Sequence, residues 1–93
     1  MSDNANIEER LELPEKLRQK IFTLARTLPV NKDLKVNQTC FRDDETGAIV
    51  CARVRYVSDS VQAVSGYAKV GGRKIVVVGD AKDIKELEDT IGP

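Results

Sequence analysis

The chain contains no histidine and no tryptophan, and its 93 positions include only two cysteines, two tyrosines and two phenylalanines. Without histidine, the commonest general base is missing, and so are the Ser/His/Asp and Cys/His nucleophile arrangements and most zinc and non-haem iron sites. Asp, Glu, Lys, Cys and Tyr are present, but they form no convergent catalytic set. The sequence therefore favours a non-catalytic protein that carries neither a cofactor nor a metal ion over the alternative of an enzyme that uses Asp, Lys or Tyr.

Long apolar runs are also missing. No stretch approaches the roughly 18 consecutive apolar residues of a membrane-spanning helix, and the start MSDNANIEER lacks the basic and apolar order of a secretory signal. We expect a cytoplasmic protein that does not contact a membrane. In a reducing compartment, Cys40 and Cys51 are expected to be buried or free thiols rather than a disulfide.

The composition is that of one folded unit, because 41% of the residues are apolar and 32% are charged in a chain of 93. Residues 1–12 are polar and mostly acidic, and a terminus of this kind is commonly mobile. We predict a flexible N-terminal segment over residues 1–12 and a single α+β domain over residues 13–93.

The segment from Pro14 to Leu28 predicts the first helix. Pro14 suits a first helical position, and Pro29 disfavours helical geometry at the residue before it. Apolar residues recur at steps of three and four and form one stripe that should face a core. The stripe contains Leu17, Ile21, Leu24, Ala25 and Leu28.

Two alternating segments, Leu34 to Arg42 and Ala48 to Val57, predict a hairpin whose turn has Gly47 in a left-handed conformation. In a register in which paired positions sum to 92, the apolar residues of both strands share one face. A sum of 91 would pair Cys40 with Cys51 but would mix apolar with polar residues. Because a one-residue slip exchanges the faces, we predict the first register, which places the two thiols on opposite faces.

Residues 61–70 are compatible with two structures. As a strand, this segment pairs across Gly71 and Gly72 with Arg73 to Val78; as a helix, it would give the order αββαβα. The strand is favoured because Val, Ser, Gly and Tyr are poor interior helix residues. The unbroken run Ile75 to Val78 predicts a strand that is buried on both faces or central in the sheet.

Asp80 is a good N-cap for a closing helix that carries Ile84, Leu87 and Ile91 on a narrow stripe. The predicted architecture is therefore α+β: an N-terminal helix, a four-stranded and mainly antiparallel sheet, and a C-terminal helix. The first helix is expected to cover the apolar face of the sheet.

The face of the hairpin opposite this core carries a mixed apolar and basic set, which is typical of a protein interface. The predicted partner-binding residues are Phe41, Ile49, Cys51, Arg53 and Arg55. We therefore predict a non-catalytic protein-binding or regulatory module that uses a sheet face, a strand edge or the C-terminal helix. Its partner is either another protein or a second copy that forms a homodimer.

Nucleic-acid binding is the alternative function, because a basic hairpin tip could contact phosphates together with basic residues of the first helix. The residues predicted for this function are Lys69, Arg73, Lys74, Lys16 and Lys20. The formal net charge is zero, but it arises by cancellation: residues 13–30 and 48–79 are basic, whereas residues 1–12 and 80–93 are acidic. The sequence leaves open whether the basic residues bind a partner or pair with the acidic C-terminal helix.

Overall fold

The computed structural model describes residues 2–29, 33, 35–58 and 60–91, with side chains from Glu12 onward. It confirms the predicted α+β architecture. The elements in chain order are α1 (Ser2–Thr27), β1 (Val36–Arg42), β2 (Ile49–Val57), β3 (Ser60–Val70), β4 (Arg73–Val78) and α2 (Ala81–Ile91).

The four strands form one antiparallel sheet in the order β1-β2-β3-β4. Residues 60–70 form a strand, so the alternative order αββαβα is wrong. Gly71 and Gly72 both have positive φ in the turn that connects β3 to β4, as the sequence predicts. Both expectations for Ile75 to Val78 are wrong, because β4 is an edge strand and Ile75 and Val77 are exposed.

Helix α1 begins at Ser2 rather than at Pro14, so the predicted start was wrong. Proline suits a first helical position but is not confined to it, and inside a helix it gives up one backbone donor. The helix ends at Thr27, one residue before the predicted end at Leu28 and two residues before Pro29. The flexibility of residues 1–12 stays a prediction.

The main core lies between α1 and one face of the sheet. Leu17 and Ile21 of α1 are fully buried, and Ala25 is nearly so. Their partners in the sheet are Val50, Ala52, Val54, Tyr56 and Ala68. The helix approaches β3 closely at Gly66, where an added Cβ would lie 2.5 Å from the Ile21 Cγ2 atom and 2.3 Å from the Cys51 carbonyl oxygen. Glycine is needed there because any side chain would collide with Ile21 of α1 and with the backbone of β2.

A second, smaller core lies under α2 on the opposite face. Ile84 and Leu87 of α2 pack with Cys51 and Tyr67 of the sheet. The helix starts as predicted, because the Asp83 backbone N–H donates to the Asp80 carboxylate at 2.8 Å. The sheet therefore has a helix on each face, and neither face of β2 is fully exposed to solvent.

The predicted register of the β1–β2 hairpin is wrong, because the paired positions sum to 91. The Asp43 carboxylate accepts hydrogen bonds from Thr46, and the Gly47 N–H donates to the Asp43 carbonyl at 2.7 Å. These bonds close a four-residue loop over residues 44–47, one residue longer than the loop that the prediction assumed. Gly47 itself has the expected positive φ of 75°.

The register places Cys40 directly opposite Cys51, and the two form a disulfide. The prediction of free thiols on opposite faces is therefore wrong. Asp43 donates its N–H to the Ala48 carbonyl, and Tyr56 donates its N–H to the Lys35 carbonyl. Hydrogen-bonded and non-hydrogen-bonded pairs alternate along the ladder between these two bonds, so Cys40 and Cys51 form a non-hydrogen-bonded pair. Side chains of neighbouring strands come closest in such a pair. Their Cα atoms lie 4.0 Å apart.

Candidate functional site

The corrected register separates the predicted partner-binding residues. Phe41 pairs with Val50 and lies on the α1 side of the sheet. Ile49, Cys51, Arg53 and Arg55 alternate along β2 and lie on the α2 side. Cys51 is 1% exposed beneath α2 and is joined to Cys40. The five residues therefore do not form one surface.

Arg53 and Arg55 face an acidic residue of α2. Arg55 donates from Nε to Oδ1 of Asp83 and from Nη2 to Oδ2, both at 3.0 Å. The Arg53 Nε atom lies 3.5 Å from the same carboxylate. Burial raises the pKa of Asp83, but the hydrogen bonds and charge of Arg55, together with the hydrogen bond with Asp80 and the charge of Arg53, lower it by more, so the net pKa lies below its ordinary value. These two arginines hold α2 on the sheet.

Three of the five residues predicted for nucleic-acid binding are also in ion pairs. Lys16 pairs with Glu45, and Lys74 pairs with Glu88 of α2. Lys20 donates to Asp43 at 2.7 Å and to Glu45 at 3.0 Å. The hydrogen bond from Lys20 lowers the pKa of the Asp43 carboxyl. These pairs bind the basic residues to other parts of the chain.

The two remaining residues, Lys69 and Arg73, lie near the β3–β4 turn. The Lys69 Nζ atom sits 5.3 Å from the centre of the Tyr67 ring, a favourable arrangement of a cation and an aromatic face. Tyr67 lies on the α2 side, whereas Lys20 belongs to a helix on the other side. The predicted basic residues are thus divided between the two faces of the sheet.

One strip of the α1 side is left uncovered. Helix α1 packs over β2, β3 and β4, and β1 lies beside it. We call the α1-side face of β1, formed by Asn37, Thr39 and Phe41, the β1 shelf. Asn37 donates to the Pro29 carbonyl at 2.7 Å at one end of the shelf, and the Lys20–Asp43 pair marks the other end.

A groove of about 300 Å³ runs between the β1 shelf and α1. We call it the shelf groove; it is lined by Lys20, Thr23, Leu24, Thr27 and Phe41. Phe41 is 40% exposed, which is unusual for an aromatic side chain of this size. The shelf groove therefore combines apolar surface with two hydroxyl groups.

The outer edge of β1 borders this groove. Since Asp43 and Ala48 form a hydrogen-bonded pair, the alternating pattern turns the backbone groups of Arg42, Cys40 and Gln38 away from β2. The Gln38 N–H donates to the Asn37 side chain at 2.9 Å. Among the described residues, no hydrogen bond uses the N–H of Cys40 or Arg42. The edge of β1 around Cys40 and Arg42 therefore has a regular register, and its outward N–H groups have no partner among the described residues.

The other sheet edge, at β4, is less regular. The register of β3 and β4 shifts between Ala68 and Lys69, which leaves Ile75 as an extra residue. Bulges, lysines and short length are features that protect edge strands from pairing with another chain. Although Ile75 and Val77 are exposed, the backbone of β4 offers only a broken row of hydrogen-bonding groups.

A second concave site lies on the α2 side. We call it the disulfide cleft: it encloses about 220 Å³ next to Cys40 and Cys51, at the end of α2. Its other lining residues are Gly47, Ile49, Tyr67, Lys69, Gly71, Gly72 and Ile91. Ile49, one of the predicted partner-binding residues, lies here.

Sequence reasoning missed Thr23, Thr27 and Arg42 as site residues. The helix pattern assigned Leu24 to the core stripe, and the two threonines lay on the flank of that stripe. Only the position of β1 beside α1 brings them together with Phe41. Their signal in the sequence is therefore too weak to distinguish them from an ordinary solvated helix face.

Comparison of the chain with protein-family models, curated proteins and solved structures found no match. Neither described helix has the length and apolar character required to cross a bilayer. Within the described residues, no cluster of three or more His, Cys, Asp or Glu side chains is placed to hold a metal ion.

Proposed function

We propose that this protein is a non-catalytic protein-binding module that takes up an extended segment of its partner by strand addition at the edge of β1. The observation that carries the proposal is the regular, open edge at Cys40 and Arg42 beside the shelf groove. Added strands gain affinity from main-chain hydrogen bonds and specificity from pockets for alternate side chains. The β1 edge supplies open main-chain groups, and the shelf groove supplies a pocket for a side chain.

The width of the β1 shelf favours a strand over a helix as the bound element. The shelf is a single strand wide, and neighbouring strands are spaced by about 4.8 Å. A helix is about 10 Å across with its side chains, so it would overhang the sheet edge. An added strand would instead extend the sheet and place alternate side chains above the shelf groove.

The pairing geometry also indicates the chemistry of the partner. The side chain opposite Phe41 would enter the shelf groove, where an apolar group would contact Phe41 and Leu24. Its neighbour along the added strand would lie opposite Arg42, which is exposed and takes part in no ion pair among the described residues. An acidic side chain there would form a favourable cross-strand pair. We infer a partner segment in which an apolar residue is adjacent to an acidic one.

This proposal narrows the surfaces that the sequence left open. The α2 side of the sheet is largely occupied by α2, and the β4 edge carries a bulge. Nucleic-acid binding has less support, because Lys16, Lys20 and Lys74 are in ion pairs. A regulatory role and a cytoplasmic location are parts of the same proposal, in which the disulfide is a redox-sensitive link rather than a permanent one.

The test is a selection from a display library of unstructured peptides on the immobilised full chain, followed by fluorescence anisotropy with the enriched peptide. Arg42→Pro removes an outward N–H without removing a hydrogen bond to β2, and proline is tolerated on edge strands. Arg42→Ala is the matched control, because it removes the same charge and keeps the N–H. We expect Arg42→Pro to weaken binding about tenfold more than Arg42→Ala, as one backbone hydrogen bond would.

Phe41→Ala gives an independent measurement of the shelf groove, and it should also weaken binding. Equal affinities for Arg42→Pro and Arg42→Ala would overturn the strand-addition proposal. Failure to enrich any peptide, together with self-association of the chain through β1, would replace the partner segment by a second copy. Binding of a labelled DNA or RNA with a steep salt dependence would favour the alternative function.

A further inference from the structure

The two cysteines of the disulfide differ in burial. Cys51 is on β2, in the interior of the sheet, and packs under Ile84 and Leu87. Cys40 is on the edge strand and is only partly buried. The disulfide cleft opens beside them, at the end of α2. Both cysteines line the cleft, and Cys40 is the less buried of the two, so Cys40 is the less obstructed target for a small molecule in the cleft.

We propose that the Cys40–Cys51 disulfide is a thiol-exchange site at which a small anionic thiol attacks Sγ of Cys40. A cleft of about 220 Å³ accepts a molecule of tripeptide size in part, but not a protein thiol on a folded domain. Lys69 lines the cleft and supplies a positive charge. Ile49, Ile91 and Tyr67 supply apolar walls. The ligand class is therefore a low-molecular-weight thiol that bears carboxylates.

The exchange needs no oxidant or reductant other than the protein disulfide and the small thiol. The thiolate of the small molecule forms a new S–S bond with Sγ of Cys40, and the electron pair of the broken bond leaves with Sγ of Cys51, which takes a proton from water. A second thiolate then attacks the sulfur of the small molecule in the mixed disulfide. This step releases the oxidised small disulfide and leaves Cys40 as a thiol. Two small thiols are oxidised, and the protein disulfide is reduced.

Exchange at this site would change the binding edge of β1. This consequence for binding rests on the proposed function. The Cys40 N–H is one of the open donors of the β1 edge, and the disulfide is a covalent cross-link between this strand and β2 in addition to the hairpin loop. Opening the bond leaves β1 held by its ladder to β2 and by the contacts at its two ends. We therefore expect the oxidised form to present a more ordered edge and to bind the partner segment more tightly.

The experiment uses the full chain and reduced glutathione as the probe, with peptide mapping by mass spectrometry after acid quenching. We expect the glutathione adduct on Cys40 and a free thiol on Cys51. Lys69→Ala should slow the exchange with glutathione several-fold and the exchange with 2-mercaptoethanol less, because the 2-mercaptoethanol thiolate carries no carboxylate beside its sulfur. Ile91→Ala widens the cleft and should speed exchange, whereas Ile75→Ala, a similarly exposed isoleucine outside the cleft, should not.

Several outcomes would overturn the proposal. They are an adduct found mainly on Cys51, equal effects of Ile91→Ala and Ile75→Ala, or a rate that follows the global unfolding rate measured in urea. Amide exchange provides the separate test of the effect on β1: reduction should lower protection in β1 and leave β3 unchanged. Glutathione mapping needs no bound peptide, so failure of the peptide selection and failure of the exchange site give different results.

Discussion

Arg55 of β2 and Asp83 of α2 form a bidentate ion pair across the α2 face of the sheet. Asp83 is 4% exposed, and its backbone N–H is also held by the Asp80 cap. The pair joins the basic central segment of the sequence to its acidic end. Lys74 and Glu88 make a second link between the same segments. Part of the charge asymmetry along the chain is thus used to hold α2 in place.

Asp83→Asn should destabilise the protein. The substitution keeps the shape of the side chain but removes the charge that Arg55 and Arg53 face, and we expect a loss of roughly 1–3 kcal/mol in the free energy of unfolding. Asp89→Asn on the exposed side of α2 is the matched control and should change stability by less than about 0.5 kcal/mol. Urea denaturation measures both. Equal effects of the two substitutions would show that the Arg55 pair does not anchor α2.

Acid should destabilise the protein through Asp83 and Asp43. Both carboxyls have a pKa below the ordinary value of 3.8 in the folded chain. Their contribution to stability is therefore fully present above that value and is lost as the pH falls through the lower folded pKa. Urea denaturation between pH 6 and pH 2 should show a fall in stability at the acid end that is shallower in Asp83→Asn. Equal slopes for the wild type and Asp83→Asn would contradict the role given to this carboxyl.

Lys20→Met should cost more stability than Lys16→Met. Lys20 is 22% exposed and pairs with Asp43, whose side chain is 8% exposed, so its loss leaves a buried carboxylate with one partner fewer. We expect a loss of roughly 1–3 kcal/mol for Lys20→Met. Lys16 and Glu45 are both half-exposed, and pairs of this kind contribute about 0–1 kcal/mol. Thermal unfolding ranks the two variants, and a reversed order would contradict the role given to the Lys20–Asp43 pair.

Gly66→Ala should disrupt the packing of α1 on β3. The added Cβ would collide with Ile21 and with the Cys51 carbonyl, and overpacking of this kind costs roughly 1–3 kcal/mol or more. Combining it with Ile21→Ala removes one of the two collisions. We therefore expect the double variant to be more stable than the sum of the two single effects predicts. Strict additivity in urea denaturation would mean that Ile21 does not restrict this position.

Local sequence signals predicted the elements that depend on neighbours along the chain. The Gly71–Gly72 turn, the left-handed Gly47 and the Asp80 cap each need only a few adjacent residues, and all three are present. The extension of α1 to Ser2 differs from this pattern, because Pro14 predicts a boundary that the helix does not have. A proline favours a first turn but does not require one.

The sequence by itself determined the order of the elements, the strand at residues 60–70 and the apolar stripe of α1, because alternation and helical periodicity are encoded residue by residue. The tertiary structure decided the hairpin register, the disulfide and the division of the partner-binding residues. A one-residue change in loop length exchanges the faces of both strands. Helix α2 covers the second face of the sheet, and β1 lies beside α1 rather than under it. Polar residues of β1 therefore share a side with the core residues of β2. For this reason the local pattern does not indicate which side is buried.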